Sequence, residues 1–166
     1  MKIFLIGPMG SGKSKIGRIL SEKLSISLFD IDKEIEKDLN MSITEIFATK
    51  GEIFFRNTET DYLIKTKGLR DCIVSTGGGV VEEIKNLEFL RKEANVVFLN
   101  CSVESQYENT KNSAKRPLLL TNDPKLTLQT LYEKRFDSYK KVSKLELLSD
   151  SMSNDEIANK IINHFN

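Results

Sequence analysis

Short apolar runs recur along the chain at Ile3–Ile6, Leu28–Phe29, Cys72–Val74, Val96–Leu99 and Leu145–Leu148. Their length and their content of β-branched and aromatic residues predict strands. Between the first two runs, Ile16, Ile19, Leu20 and Leu24 follow helical spacing, so a helix starting near Lys13 presents one apolar face. This is a strand, helix, strand unit. Near the end, Ser153 with Glu156 three residues on reads as a helix start, followed by Ile157, Ile161, Ile162 and Phe165 on one face. Strands that alternate with longer helical patterns predict an α/β chain in three layers, a parallel sheet with helices on both faces.

Two stretches break the alternation. About 40 residues between the second and third strands, roughly Asp32 to Asp71, carry several helical patterns, which is long against ordinary connections and predicts an inserted helical segment. The second, Lys111 to Lys125, is polar and turn-rich around a patch of three leucines, Leu118 to Leu120. It reads either as a mobile loop over a site or as a surface loop anchored by its leucines. Neither internal repeats nor low-complexity tracts are visible.

Composition narrows the setting. With 166 residues, 39% of them hydrophobic and 30% charged, the chain has the material for one packed domain. Its 25 basic and 24 acidic side chains leave a net charge of +1, so no global excess steers it onto nucleic acid or an anionic membrane. An anionic partner must be caught locally. Cys72 and Cys101 are too few for a disulfide framework or a zinc site and fit a reducing cytoplasm. The apolar run at the N-terminus is shorter than the roughly 7 to 15 residues of a signal-peptide core, and no stretch approaches the roughly 18 apolar residues of a membrane span. The expectation is a protein that is neither exported nor embedded.

Gly7-Pro8-Met9-Gly10-Ser11-Gly12-Lys13-Ser14 follows the first predicted strand and opens the first predicted helix, the context of a phosphate-binding loop of pattern G-x-x-x-x-G-K-[ST]. Glycines let backbone N–H groups turn toward phosphate oxygens, the helix start favours negative charge, Lys13 adds a positive one, and Ser14 offers a hydroxyl to Mg²⁺. Binding of a nucleoside triphosphate follows. The D-x-x-G and N-K-x-D elements of GTPase switches are missing, which disfavours a signalling GTPase. Phosphoryl transfer to a small molecule needs a group that orients or deprotonates a hydroxyl. The only histidine, His164, lies close to the C-terminal end, so a carboxylate must serve.

Asp30-Ile31-Asp32 follows the second strand. If extended, it points both carboxylates to one side, at the strand ends where open α/β sheets bind ligands. Taken alone, the same triplet reads as a helix cap beside a solvated neighbour. Ser75-Thr76-Gly77-Gly78-Gly79-Val80 follows the third strand; it is either a tight turn or a place where a ligand lies on bare backbone and the next helix begins. Arg56 and Glu59 stand three apart on a predicted helix and can touch, though an exposed pair of this kind contributes little. Arg135 falls on the stripe of Leu128, Leu131, Tyr132 and Tyr139, where it either faces inward toward an anion or snorkels from the stripe's edge. Arg116, beside Pro117, is either a solvated charge or a loop residue that reaches phosphate. Arginines from three segments suit a carboxylate-bearing acceptor together with phosphate.

Taken in order and spacing, the phosphate loop, Asp30-x-Asp32, the stretch Ile46-Phe47-Ala48…Gly51-Glu52…Phe55-Arg56-x-x-Glu59, Gly77-Gly78-Gly79, Arg116-Pro117-Leu118-Leu119 and Arg135…Tyr139 resemble the shikimate kinase family over essentially the whole chain. The resemblance implies a five-stranded parallel sheet of the nucleoside monophosphate kinase type. It also implies one domain over residues 1–166, with a substrate-binding helical segment at about 32–62 and a mobile lid at about 111–125. The implied activity is transfer of the γ-phosphate of ATP to the 3-hydroxyl of shikimate, on the chorismate route to aromatic compounds, by a cytoplasmic monomer using Mg²⁺.

Residue by residue, the resemblance implies that Gly10, Ser11, Gly12, Lys13, Ser14, Lys15 and Arg116 hold the nucleotide, with Lys13 on the β- and γ-phosphates and Arg116 arriving with the lid. Ser14 and Asp30 serve the metal, Asp30 through water. Asp32 contacts the ring hydroxyls and acts as base, so Asp32, Lys13 and Arg116 form the catalytic group. Arg56 and Arg135 pair with the shikimate carboxylate, Glu59 holds Arg56, and Gly77, Gly78 and Gly79 contact the substrate. Asn109 stands at the apparent position of an arginine that family members stack on adenine. Two alternatives remain at this point: a kinase of the gluconate type, and a nucleotide-binding module without an acceptor.

Overall fold

The computed structural model describes residues 1–113 and 116–165. Five strands form one sheet: β1 (Lys2–Ile6), β2 (Ser27–Asp30), β3 (Cys72–Ser75), β4 (Val96–Asn100) and β5 (Leu145–Leu148). They are ordered β2-β3-β1-β4-β5, and every neighbouring pair is parallel. From β1 the chain crosses past β3 to β2 on one side, and from β3 it crosses past β1 to β4 on the other. The carboxyl end of β1 is therefore a topological switch point, where a crevice opens between diverging connections.

Strand alternation divides the core between the two faces. Ile3 and Leu5 point to one side and pack with Ile16 and Leu20 of α1 (Lys13–Leu24) and with Ile157 and Ile161 of α7 (Asn154–Phe165). Phe4 and Ile6 point to the other, among Ile31 and Ile35 of α2 (Ile31–Leu39), Ile46 and Leu63 of α3 (Ile43–Lys65), Leu90 of α4 (Ile84–Lys92) and Tyr139 of α6 (Pro124–Val142). The remaining helix is α5 (Val103–Thr110). All five predicted strands are present, the first, third and fourth longer by one residue at an end and the second by one at each end. The start of α7 is as expected: Ser153 and Glu156 cap each other reciprocally. Among the described residues no helix is long and apolar enough to cross a membrane.

The insertion consists of α2, α3 and a 3-10 turn at Thr66–Gly68. Within α3, Gly51 takes φ 84° and ψ 167°, which breaks the helix into two arms. Ser42 and Glu45 form a capping box at its start.

One local expectation is corrected: Asp32 is not on an extended segment, because α2 begins at Ile31 directly after β2, and Asp30 is its N-cap, accepting from the Lys33 N–H. Of the two readings of the glycine triplet, the turn is the one present, and α4 starts only at Ile84. In the loop expected over about 111–125, Lys111 caps the end of α5 and Pro124 and Lys125 open α6. Ala114 and Lys115 of that loop lie outside the described residues.

Candidate active site

The switch point is wrapped by the Gly7–Gly12 loop. Gly10 adopts φ +80°, and a side chain there would press on the Gln106 backbone of α5. Glycine at that position is thus a steric requirement as well as a conformational one. Gly12 caps α1 in the left-handed conformation without a side-chain hydrogen bond, which leaves the N–H groups of the first turn directed at the cleft. Lys13 is buried and folds back, its Nζ donating to the carbonyl oxygens of Gly7 and Pro8 at 2.8 Å each. Burial, with Arg116 nearby, lowers its pKa to about 8.

Ser14 Oγ donates to Asp30 Oδ2 at 2.7 Å and lies 3.4 Å from Ser75 Oγ. This cluster of oxygens at the foot of the phosphate loop is the ligand chemistry a hard divalent cation takes. Asp30 therefore caps α2 and also lines the cleft.

Two cavities meet at this point. One, an open cleft with about 1230 Å³ of empty space, is lined by Gly10 to Lys15, Asp30, Ser105, Asn109, Ser149 and Asp150. The other, with about 470 Å³, is lined by Arg56, Glu59, Arg135, Phe47, Phe55 and Leu118. Asp32, Gly77, Gly78 and Arg116 line both. A carboxyl group and a guanidinium thus stand at the junction of the two cavities. The Asp32 carboxyl is pushed up by burial and by Asp30, against the pull of Arg116, Lys13 and Arg56, and its Oδ1 has no partner among the described residues.

The smaller pocket is built from charges out of water. Glu59 is fully buried, its Oε2 accepting from Arg56 Nη1 at 2.9 Å, while its Oε1 has no partner among the described residues. The exposed, weakly contributing pair of the sequence reading is corrected: Arg56 is only 7% exposed. Burial raises the Glu59 carboxyl to about 7 despite Arg56. Gly79 runs beneath this pair, and a Cβ there would fall on the Arg56 guanidinium. Arg135 faces inward at 3% exposure, so the snorkelling reading is set aside.

Sequence reasoning missed Glu82, Glu52 and the aromatic wall. Glu82 pairs with Arg135, Glu52 with Arg56, and Phe47 stacks obliquely on Phe55 at 4.9 Å. Only the helical i, i+4 spacing of Glu52 and Arg56 carried a signal. Tyr139, named as a stripe residue, donates its hydroxyl to the Gly78 carbonyl and stacks on Phe98, tying α6 to the glycine turn. Asn109 donates Nδ2 to the Gly10 carbonyl at 2.9 Å, so it braces the phosphate loop from α5.

A phosphate-binding loop at the switch point, joined through one carboxylate to a cationic acceptor pocket, defines a small-molecule kinase of the P-loop class. The family model for shikimate kinase matches residues 9–166. The shikimate kinase of Marinomonas sp. is 41% identical over 162 residues, covering 96% of this chain and 89% of that protein. That of Methylococcus capsulatus is 36% identical over 163 residues, covering 98% and 91%. Among solved structures, shikimate kinase from Acinetobacter baumannii in complex with shikimate superposes with a TM-score of 0.95 at 34% identity, covering 98% of this chain and 91% of that one. A deoxyadenosine kinase at 17% identity and a TM-score of 0.64 shares the fold.

The chain belongs to the shikimate kinase family. Its activity is ATP-dependent transfer of phosphate to the hydroxyl of shikimate, which displaces the gluconate-type and non-catalytic alternatives.

Proposed function

We propose that residues 1–166 act as one shikimate kinase domain in which Asp32 joins two half-sites. The single observation that carries this reading is that Asp32 lines both cavities and keeps an unpartnered Oδ1 beside Arg116. The phosphate loop from Gly10 to Lys15 cradles ATP, with Lys13 leaving the carbonyls of Gly7 and Pro8 for the β- and γ-phosphate oxygens. Arg56 and Arg135 take the shikimate carboxylate, and the backbone of Gly77, Gly78 and Gly79 receives the ring. Segment 32–62 forms the acceptor side, and 111–125 acts as a lid that brings Arg116 to the phosphates.

The acceptor hydroxyl, the 3-hydroxyl of shikimate, attacks the γ-phosphorus. Its O–P bond forms as the bond to the β,γ-bridging oxygen breaks, and the hydroxyl proton passes to Asp32 Oδ1. Lys13 and Arg116 stabilise the charge that develops on the transferring group and on ADP. The Ser14, Asp30 and Ser75 oxygens fit Mg²⁺ and would hold it at the foot of the phosphate loop, where it would supply positive charge against the phosphates. Two buried, unpaired cysteines fit a reducing cytoplasm, and the monomer reading rests on the family resemblance.

Asp32→Asn tests the junction. With folding retained, kcat should fall on the order of 10²- to 10⁴-fold; near-normal turnover removes Asp32 from the role of base.

A further inference from the structure

Arg135 reaches the acceptor pocket already held. Its Nε donates to Glu82 Oε1 at 2.7 Å, and its Nη2 forms an ion pair with the same oxygen. Lys134, 62% exposed, donates to the other carboxylate oxygen, Oε2, at 2.7 Å. Glu82 does not line the acceptor pocket; it lines a separate groove with Glu52, Arg56 and Lys134. Its own N–H donates to the Gly79 carbonyl at 2.9 Å, which anchors it at the end of the glycine turn.

We propose that Glu82 is a positioning residue for acceptor recognition, clamping the Nε edge of Arg135 from outside the pocket so that the Nη edge meets the acceptor's carboxylate. The inference rests on the reading of Arg135 as a carboxylate-binding side chain. A guanidinium has five donors in a fixed fork, so engaging one edge orients the other. Nη1 lies toward Gly78, 3.5 Å from where a Cβ would stand, and Nη2 has no hydrogen bond despite its ion pair. Arg135 also hydrogen-bonds the Tyr139 side chain, yet Nη2 is buried with donor capacity left over, which is the state a carboxylate would complete. Burying an arginine without a counter-charge is costly, and a side chain ordered beforehand loses less freedom when its ligand binds. Lys134 occupies Oε2 and leaves Oε1 to Arg135. The two arginines of the pocket are then held alike, Arg56 by Glu59 and Glu52, Arg135 by Glu82.

Initial-rate kinetics on Glu82→Ala, Glu82→Gln and Arg135→Ala, with melting temperature and ATP KM measured for each, test this. Glu82→Ala should raise the shikimate KM about tenfold, equivalent to about 1.4 kcal/mol, with a smaller change in kcat and in ATP KM. Glu82→Gln, which keeps an oxygen for Nε, should recover most of the loss. An unchanged or lowered shikimate KM in Glu82→Ala, with a raised one in Arg135→Ala, overturns the proposal and makes Glu82 a bystander or a competitor. An equal loss in kcat and both KM values, with a lowered melting temperature, assigns Glu82 to folding alone and also overturns it. An unchanged shikimate KM in Arg135→Ala overturns the carboxylate reading itself. If Glu82→Ala does not fold, Glu82→Asp, which withdraws the carboxylate by one methylene, must show the same selective rise in shikimate KM, and its absence counts against the clamp.

Discussion

Glu59 holds Arg56 through a 2.9 Å hydrogen bond at the floor of the acceptor pocket, and its second oxygen, Oε1, is buried without a partner. One carboxylate thus fixes an arginine of the pocket wall and keeps unspent acceptor capacity.

The Glu59 carboxyl is raised to about 7 in the folded chain, by burial first and by the charge of Asp32 as well, from 4.5 when unfolded. The folded state therefore binds this proton more tightly. Its contribution favours folding at acid pH and is lost as pH rises from about 4.5 through about 7. Melting curves of the ligand-free protein between pH 4.5 and 8 should show wild type losing more stability across that window than Glu59→Gln. Parallel pH courses would contradict the assignment.

Gly79→Ala should act on the acceptor alone. The added methyl would land on the Arg56 guanidinium, which is pinned by Glu59 and Glu52 and would have to leave those partners to make room. Over-packing of this kind costs about 1–3 kcal/mol, so shikimate KM should rise about 10- to 100-fold while ATP KM changes little. Steady-state kinetics with each substrate varied in turn checks both halves.

Lys13 titrates at about 8 in the empty site, lowered chiefly by burial, against 10.5 unfolded. Below pH 8 its buried charge opposes folding, and that cost fades as pH rises from about 8 to 10.5. Phosphate oxygens reverse the balance by favouring the charged ammonium. ATP binding near pH 8.5 should therefore take up protons, seen as a dependence of the calorimetric enthalpy on the ionisation heat of the buffer. Lys13→Met should abolish that dependence.

Ser14 and Asp30 share a 2.7 Å hydrogen bond at the foot of the phosphate loop. If this pair serves the metal, Asp30→Asn should raise the Mg²⁺ concentration for half-maximal activity about 10- to 100-fold. Full activity at wild-type Mg²⁺ levels would remove Asp30 from that role. The variant keeps an oxygen for the Lys33 N–H, so α2 retains its cap.

Local pattern made much of this molecule readable. The β-strands are short apolar runs, and the phosphate loop is one continuous segment whose chemistry follows from glycine, lysine and serine at fixed spacing. Asp30 and Asp32 line one cleft, but Asp32 does so from the first turn of a helix, not from an extended strand. Burial was harder to read. Arg56 and Glu59 at i, i+3 look alike in sequence whether solvated or enclosed; only the packing of the acceptor pocket puts Glu59 at 0% exposure. Glu82 left no local mark, because its partner Arg135 is 53 residues away and the two meet only when α6 lies against the glycine turn. Asn109 stands out in sequence by what it replaces, whereas its observed contact is with the Gly10 carbonyl.

If the phosphate cleft and the acceptor pocket work as one site through Asp32, ADP release from Mg·ATP must depend on shikimate. Coupled measurement of that release, with and without shikimate, should show a low basal rate, saturable stimulation by shikimate, and one shikimate 3-phosphate formed per ADP. ADP release indifferent to shikimate, or none from folded protein, would contradict it.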